Sequence, residues 1–164
     1  MNPEDARSLL HSRLETIVRA SNSILHGHAV KRNVRDQCVL EYACVFPKSN
    51  KEFRAFTRVA KSLGKVVCKI ESGDIIKLDK PLIIQFVPLY FLKIRLHDPS
   101  KRKLGECDFK VSYWKVLKRV LTGRPGVVVD QRPKFTTLRV SSDIAQANAC
   151  FSSPSLLDEH GPIA

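Results

Sequence analysis

Apolar residues recur at helical spacing from the first residues of the chain. Leu10, Leu14, Ile17, Val18, Ile24 and Leu25 fall on one stripe, and that period predicts an amphipathic helix over residues 3–25. Asn2 can cap it, Pro3 suits its first position, and Glu4 and Asp5 favour the positive end of the dipole. The stripe stops at His26-Gly27-His28, where a glycine and cations suit a helix C-terminus. Read as a metal site, the same histidines would need further ligands, and His11, His97 and His160 are scattered.

The period then falls to two. In "QCVLEYACVF", Cys38, Leu40, Tyr42, Cys44 and Phe46 alternate with Val39, Glu41, Ala43 and Val45. Both sets are mostly apolar, which predicts a central strand with Glu41 as its one odd member. Ser49 and Glu52 have capping-box spacing, Phe53, Phe56, Ala60 and Leu63 form a stripe, and Gly64 ends it, so a second helix follows. "KVVCKIE" reads as a strand, Ser72-Gly73 as a turn and "DIIKLD" as a short strand. Pro81 and Pro88 bound a loop or edge segment. "LYFLKIRLH" sets Tyr90, Leu92, Ile94 and Leu96 on one face and Lys93 and Arg95 on the other, so one side meets solvent or a ligand.

After the polar connection 98–106 the order restarts. "CDFKV" is a strand, and "YWKVLKRVL" a helix with Tyr113, Leu117, Val120 and Leu121 inward, ended by Gly123 and Pro125. "GVVVDQ" and "FTTLRV" are strands parted by Arg132-Pro133, and "AQANACF" is a weaker last strand. The expectation is an α+β fold of two strand–helix–strand–strand–strand modules that share a cavity, with an added N-terminal helix. Its boundaries are residues 1–30 for the helix, 36–98 and 105–151 for the modules, and 152–164 for a partly ordered tail. The alternative is a single ferredoxin-like sheet with helices on one face.

Charge narrows the partners. The 164 residues carry a formal +12. Residues 93–139 hold thirteen Lys and Arg against four acids, and such a field attracts anions. No apolar run is long enough for a membrane span, so no membrane partner is expected. "MNPEDARSLL" lacks the cationic start of a secretory signal, and the expected location is cytoplasmic. The five cysteines are odd in number and form no C-x-x-C pair, which predicts reduced thiols and no zinc site. A glycine-rich phosphate cradle, a nucleophile elbow and an H-E-x-x-H helix are all absent, so no reaction can be named.

Within residues 36–151, the strand "DQCVLEYACVF" with its capped helix, the strands "GDIIKLDKP" and "LYFLKIRLH", and the restart at "GECDFKVSYWKVLKRVL" resemble, in order, the vicinal-oxygen-chelate (glyoxalase/dioxygenase-like) superfamily. The resemblance implies a divalent metal held in the cavity by His and Glu of the first and last strands of each module. The sequence departs from that pattern: Gln37 and Cys38 open the first strand, Glu106, Cys107 and Asp108 open its counterpart, and Lys93 and Arg95 would repel a cation. The expectation is therefore a pocket without metal or cofactor that prefers a small anionic ligand, lined by Glu41, Lys93, Arg95 and Asp108.

Each residue also has a plainer reading. Glu41 would have a raised pKa on an apolar strand, or would pair with Lys93 or Arg95. Asp108 would line the pocket or face solvent, and His97 would be an acid–base group or a turn residue. The second functional expectation is a nucleic-acid-binding accessory protein. Lys101, Arg102, Lys103, Lys115, Lys118 and Arg119 would grip phosphates there, and Tyr113 and Trp114 would stack on bases or pack in the core.

Overall fold

The computed structural model describes residues 1–27 and 38–160. His28, Lys31, Arg32, Arg35 and Gln37 lie outside them. Helix α1 (Pro3–Gly27) starts as its sequence dictates, with Asn2 Oδ1 accepting from the Asp5 N–H at 2.7 Å. Strand β1 (Val39–Val45) leads into helix α2 (Asn50–Ser62). The Ser49 side chain accepts from Glu52 N at 3.1 Å, while the Glu52 carboxylate takes the Lys48 N–H at 2.8 Å and lies 3.3 Å from Arg13. Strands β2 (Gly64–Cys68), β3 (Ile75–Ile84) and β4 (Val87–Ile94) complete the first half. The second half runs β5 (Gly105–Lys110), α3 (Trp114–Leu121), β6 (Val127–Gln131), β7 (Thr136–Val140) and β8 (Ala147–Ser153), and α4 (Leu156–His160) follows.

All eight strands form one sheet in the order β2-β3-β4-β1-β5-β8-β7-β6. β1 and β5 are antiparallel neighbours at its centre. Each has a parallel partner on its other side, β4 for β1 and β8 for β5, and antiparallel strands continue to both edges. The fold is therefore α+β with a single sheet. Among the described residues no helix is long and apolar enough to cross a membrane.

One face of the sheet carries the apolar core. Ala6, Leu10, Leu14, Ile17, Val18, Ile24 and Leu25 of α1 are all buried, together with Phe56, Val59 and Ala60 of α2 and Leu117 and Leu121 of α3. Each full Leu or Ile burial contributes about 1.5–3 kcal/mol, so α1 is a structural part of the core. Gly105 allows its close approach: a Cβ there would lie 2.6 Å from the Ile17 side chain and 2.2 Å from the Cys44 carbonyl oxygen.

Four local expectations need correction. Strict alternation in β1 fails, because the register shifts between Leu40 and Tyr42. Leu40 pairs with Phe109 and Ala43 with Cys107, so Leu40 and Ala43 share the core face and Glu41 is the extra residue of a β-bulge. Pro81 and Pro88 do not bound a loop but lie inside β3 and β4, where the pairing is interrupted between Lys77 and Leu82. The β3–β4 hairpin turns at Gln85 and Phe86, both at positive φ (51° and 66°), as a type I′ geometry requires. At α3, Tyr113 just before the helix and Val120 within it point outward, and the inward side is taken by Trp114, Leu117 and Leu121. The single sheet of the alternative expectation does form, but its helices are not all on one face, since α4 packs on the face opposite α1.

Candidate binding face

The face opposite α1, α2 and α3 is polar at its centre. Residues in direct register across a sheet point to the same side. One row across the central strands is Lys93, Cys44, Glu106 and Asn148, and the next is Phe91, Tyr42, Asp108, Cys150 and Arg139. Helix α4 covers part of this face. Glu41 accepts from the backbone N–H groups of Leu156 (3.3 Å) and Leu157 (3.1 Å). The His160 ring lies 6.1 Å from that of Phe91, Lys77 Nζ donates to the His160 carbonyl, and Lys110 pairs with Asp158.

Lys93 is the most unusual member. It is 3% exposed, yet among the described residues its ammonium has a single hydrogen-bond partner, donating to Ser72 Oγ at 2.6 Å, and no carboxylate closes on it as an ion pair. Burial pushes its pKa down, and the nearby Arg95 and Arg132 charges push the same way, with Glu106 opposing them. Arg95 stacks over the Phe46 ring at 5.6 Å. Arg132 pairs with Asp130 at 2.9 Å and lies over Phe135.

Asp108 is the complementary oddity. Burial pushes its carboxyl up to about 7, aided by Glu41 and Glu106 and resisted by hydrogen bonding from Ser152. Its Oδ2 accepts from Ser152 Oγ, which is 2.9 Å from Thr137 Oγ1, while the buried Oδ1 has no hydrogen-bond partner among the described residues. An orphaned buried oxygen is unfavourable as part of an anion and less so as part of a neutral acid. Glu41 is also raised by burial, though the two backbone donors work against it. Arg139 approaches Glu106 at 3.3 Å. Burial holds the Cys44 thiol up at about 12, and Cys150 is raised as well, so both stay protonated near neutral pH.

The structure thus brings Glu41, Lys93, Arg95 and Asp108 to one side of the sheet. Glu41 does not pair with Lys93 or Arg95, because the bulge aims it at α4. His97 takes the turn role, its Nδ1 3.0 Å from the Pro47 carbonyl oxygen. The six cations of the second expectation divide. Lys103 turns inward and donates to the carbonyls of Ser142 and Ala145, each at 2.7 Å, and the carbonyls of residues 101–103 hold Lys48 Nζ. Lys101 and Arg102 are exposed in that loop. Lys115 and Arg119 are exposed on α3 beside Tyr113, Val116 and Val120, with Lys118 half-buried and Trp114 packed against the core. Arg139, Thr137 and Ser152 were not singled out from the sequence, and Glu106 was named only as a departure from the metal-ligand pattern. Their alternation with apolar residues was a signal, but only the pairing places them beside Asp108.

A divalent metal of the kind the resemblance implies does not fit. β1, β4, β5 and β8 contain no histidine, Glu41 is engaged by α4, and Lys93 contributes an ammonium to the central row. Among the described residues no three His, Cys, Asp or Glu are grouped to hold an ion.

No protein-family model matches the chain, and no curated protein matches it. A solved structure described as a structural-genomics protein, Protein EC4020, is similar in fold, with a TM-score of 0.71 at 13% identity over 97% of this chain and 94% of that one.

Proposed function

We propose that this chain is a glyoxalase-like protein that binds a small anionic ligand, without a metal, on the polar face of its sheet. In this reading residues 36–98 and 105–151 are two copies of one strand–helix–strand–strand–strand module, joined at β1 and β5 to line a shared cavity. The strand order supports it: outward from the centre each half runs first strand, parallel fourth strand, then third and second. The observation that carries the binding proposal is the buried Lys93 ammonium, held by one hydroxyl among the described residues and acted on by the charges of Arg95 and Arg132. A buried cation without a direct ion pair is unfavourable, and an anion seated beside it relieves that penalty.

The test is a titration with pyruvate, malonate and inorganic phosphate in buffer containing a chelator, followed by amide chemical shifts. At least one anion should perturb residues of β1, β4 and β5, and Lys93→Met should abolish the effect. Shifts that are absent for all three, or unchanged in Lys93→Met, overturn the proposal.

A second reading is favoured by a different observation. The exposed face of α3 combines Tyr113, Val116 and Val120 with Lys115 and Arg119, a mixture suited to a single-stranded nucleic acid. Charge supports that reading without specifying it, so it ranks second.

A further inference from the structure

The chemistry available at Lys93 goes beyond electrostatic attraction. A lysine amine becomes a nucleophile when burial or a neighbouring cation disfavours its ammonium form, and both conditions meet here. The other lysines on or near this face are differently occupied. Lys77 donates to the His160 carbonyl, and Lys110 pairs with Asp158. Lys48 and Lys103 are also disfavoured as ammonium by burial, but three backbone carbonyls hold the first and two hold the second. Among the described residues Lys93 has only the Ser72 hydroxyl, a partner that can accept a hydrogen bond or donate one of its own. The thiols on the same face stay protonated, which leaves the amine as the best nucleophile there.

We infer that Lys93 forms a Schiff base, and that the ligand of this face is a small 2-oxo acid whose carboxylate lies toward Arg95 and Arg132 while its carbonyl carbon meets Lys93 Nζ. The inference rests on the anion-binding reading above and names the substrate class for the same face. In the step, the neutral amine attacks the carbonyl carbon, a C–N bond forms, and the former carbonyl oxygen takes a proton to give a carbinolamine. That oxygen then takes a second proton, supplied by solvent, the C–O bond breaks as water leaves, and the nitrogen lone pair forms the C=N bond of a protonated imine. Carbon and nitrogen keep their electron count, so no oxidant or reductant is needed. Ser72 Oγ, at 2.6 Å, is placed to pass the proton between nitrogen and oxygen.

The experiment incubates the whole protein with pyruvate near neutral pH, reduces any imine with borohydride, and locates the adduct by peptide mass spectrometry. Lys93 should be labelled ahead of exposed lysines, since a lowered pKa leaves more of the amine free near neutral pH. The labelling rate should rise with pH through a midpoint below that of exposed lysines, and malonate, which has no ketone, should protect. Lys93→Arg keeps the charge and should lose the adduct. Malonate protection in the parent provides the same control should that variant not fold. Adducts spread over exposed lysines with Lys93 unmodified, or labelling unaffected by malonate, overturn the inference. Pyruvate-induced chemical shifts without an adduct would leave the anion-binding reading standing and remove only the nucleophile. Neither shifts nor adduct would remove both.

Discussion

Replacing Asp108 with Asn isolates one buried carboxyl. In the folded protein its pKa lies at about 7, against an ordinary 3.8. The sign follows from proton counting. Between pH 4 and 7 the folded state retains a proton that the unfolded chain has released, so stability falls as pH rises, by about 1.4 kcal/mol per pH unit. The penalty is absent below the unfolded pKa and complete above the folded one, where it reaches about 4 kcal/mol. Asn has nearly the same shape, retains an oxygen for Ser152 and never ionises. The variant should therefore match the parent near pH 4 and exceed it increasingly toward pH 8. Urea unfolding of both proteins across pH 5 to 8 measures the difference, which should widen by about 3 kcal/mol over that range. A difference that stays flat refutes the reasoning, because it would mean that the carboxyl ionises in the fold as readily as in water. A variant less stable than the parent at pH 8 would show instead that the Ser152–Thr137 chain requires the carboxylate.

Glu41→Gln should loosen α4 while leaving the sheet intact, since an amide oxygen accepts more weakly than a carboxylate. Faster amide exchange at Leu156 and Leu157, corresponding to about 1–2 kcal/mol, is expected, with no change in β1. Elemental analysis of the purified protein should find no stoichiometric zinc, manganese or iron, and about one metal per chain would contradict the donor-set argument. If α3 meets nucleic acid, log affinity for a short single-stranded RNA should fall with log salt by about 0.7 per phosphate contact. Joint replacement of Lys115, Lys118 and Arg119 with Ser should reduce that slope, and an unchanged slope would remove α3 from the interface.

Several elements were legible in the sequence because their determinants are local. The cap of α2 lies within four residues, Ser49 to Glu52, and the stripe of α1 repeats every three or four residues, so both helices follow from short-range geometry. The strands of the first half and the restart after residue 105 were readable for the same reason. The β3–β4 hairpin was not. Gln85-Phe86 is no usual turn pair, and Pro81 and Pro88 read as breakers until the neighbouring strand and the interrupted register accommodate them.

The candidate face was legible only in part. Glu41, Lys93, Arg95 and Asp108 stood out as charges on apolar strands, which is a one-dimensional signal. What each charge meets depended on long-range pairing. A single bulged residue turned Glu41 from its expected basic partners toward the backbone of α4, more than a hundred residues away in sequence. Register alone set Lys93 across from Cys44, and Asp108 beside Ser152 with one oxygen unpartnered. Periodicity and caps act over a few residues and determine which elements form. Burial, pairing and the loss of water that moves a pKa are properties of the assembled sheet, and only the tertiary structure decided them.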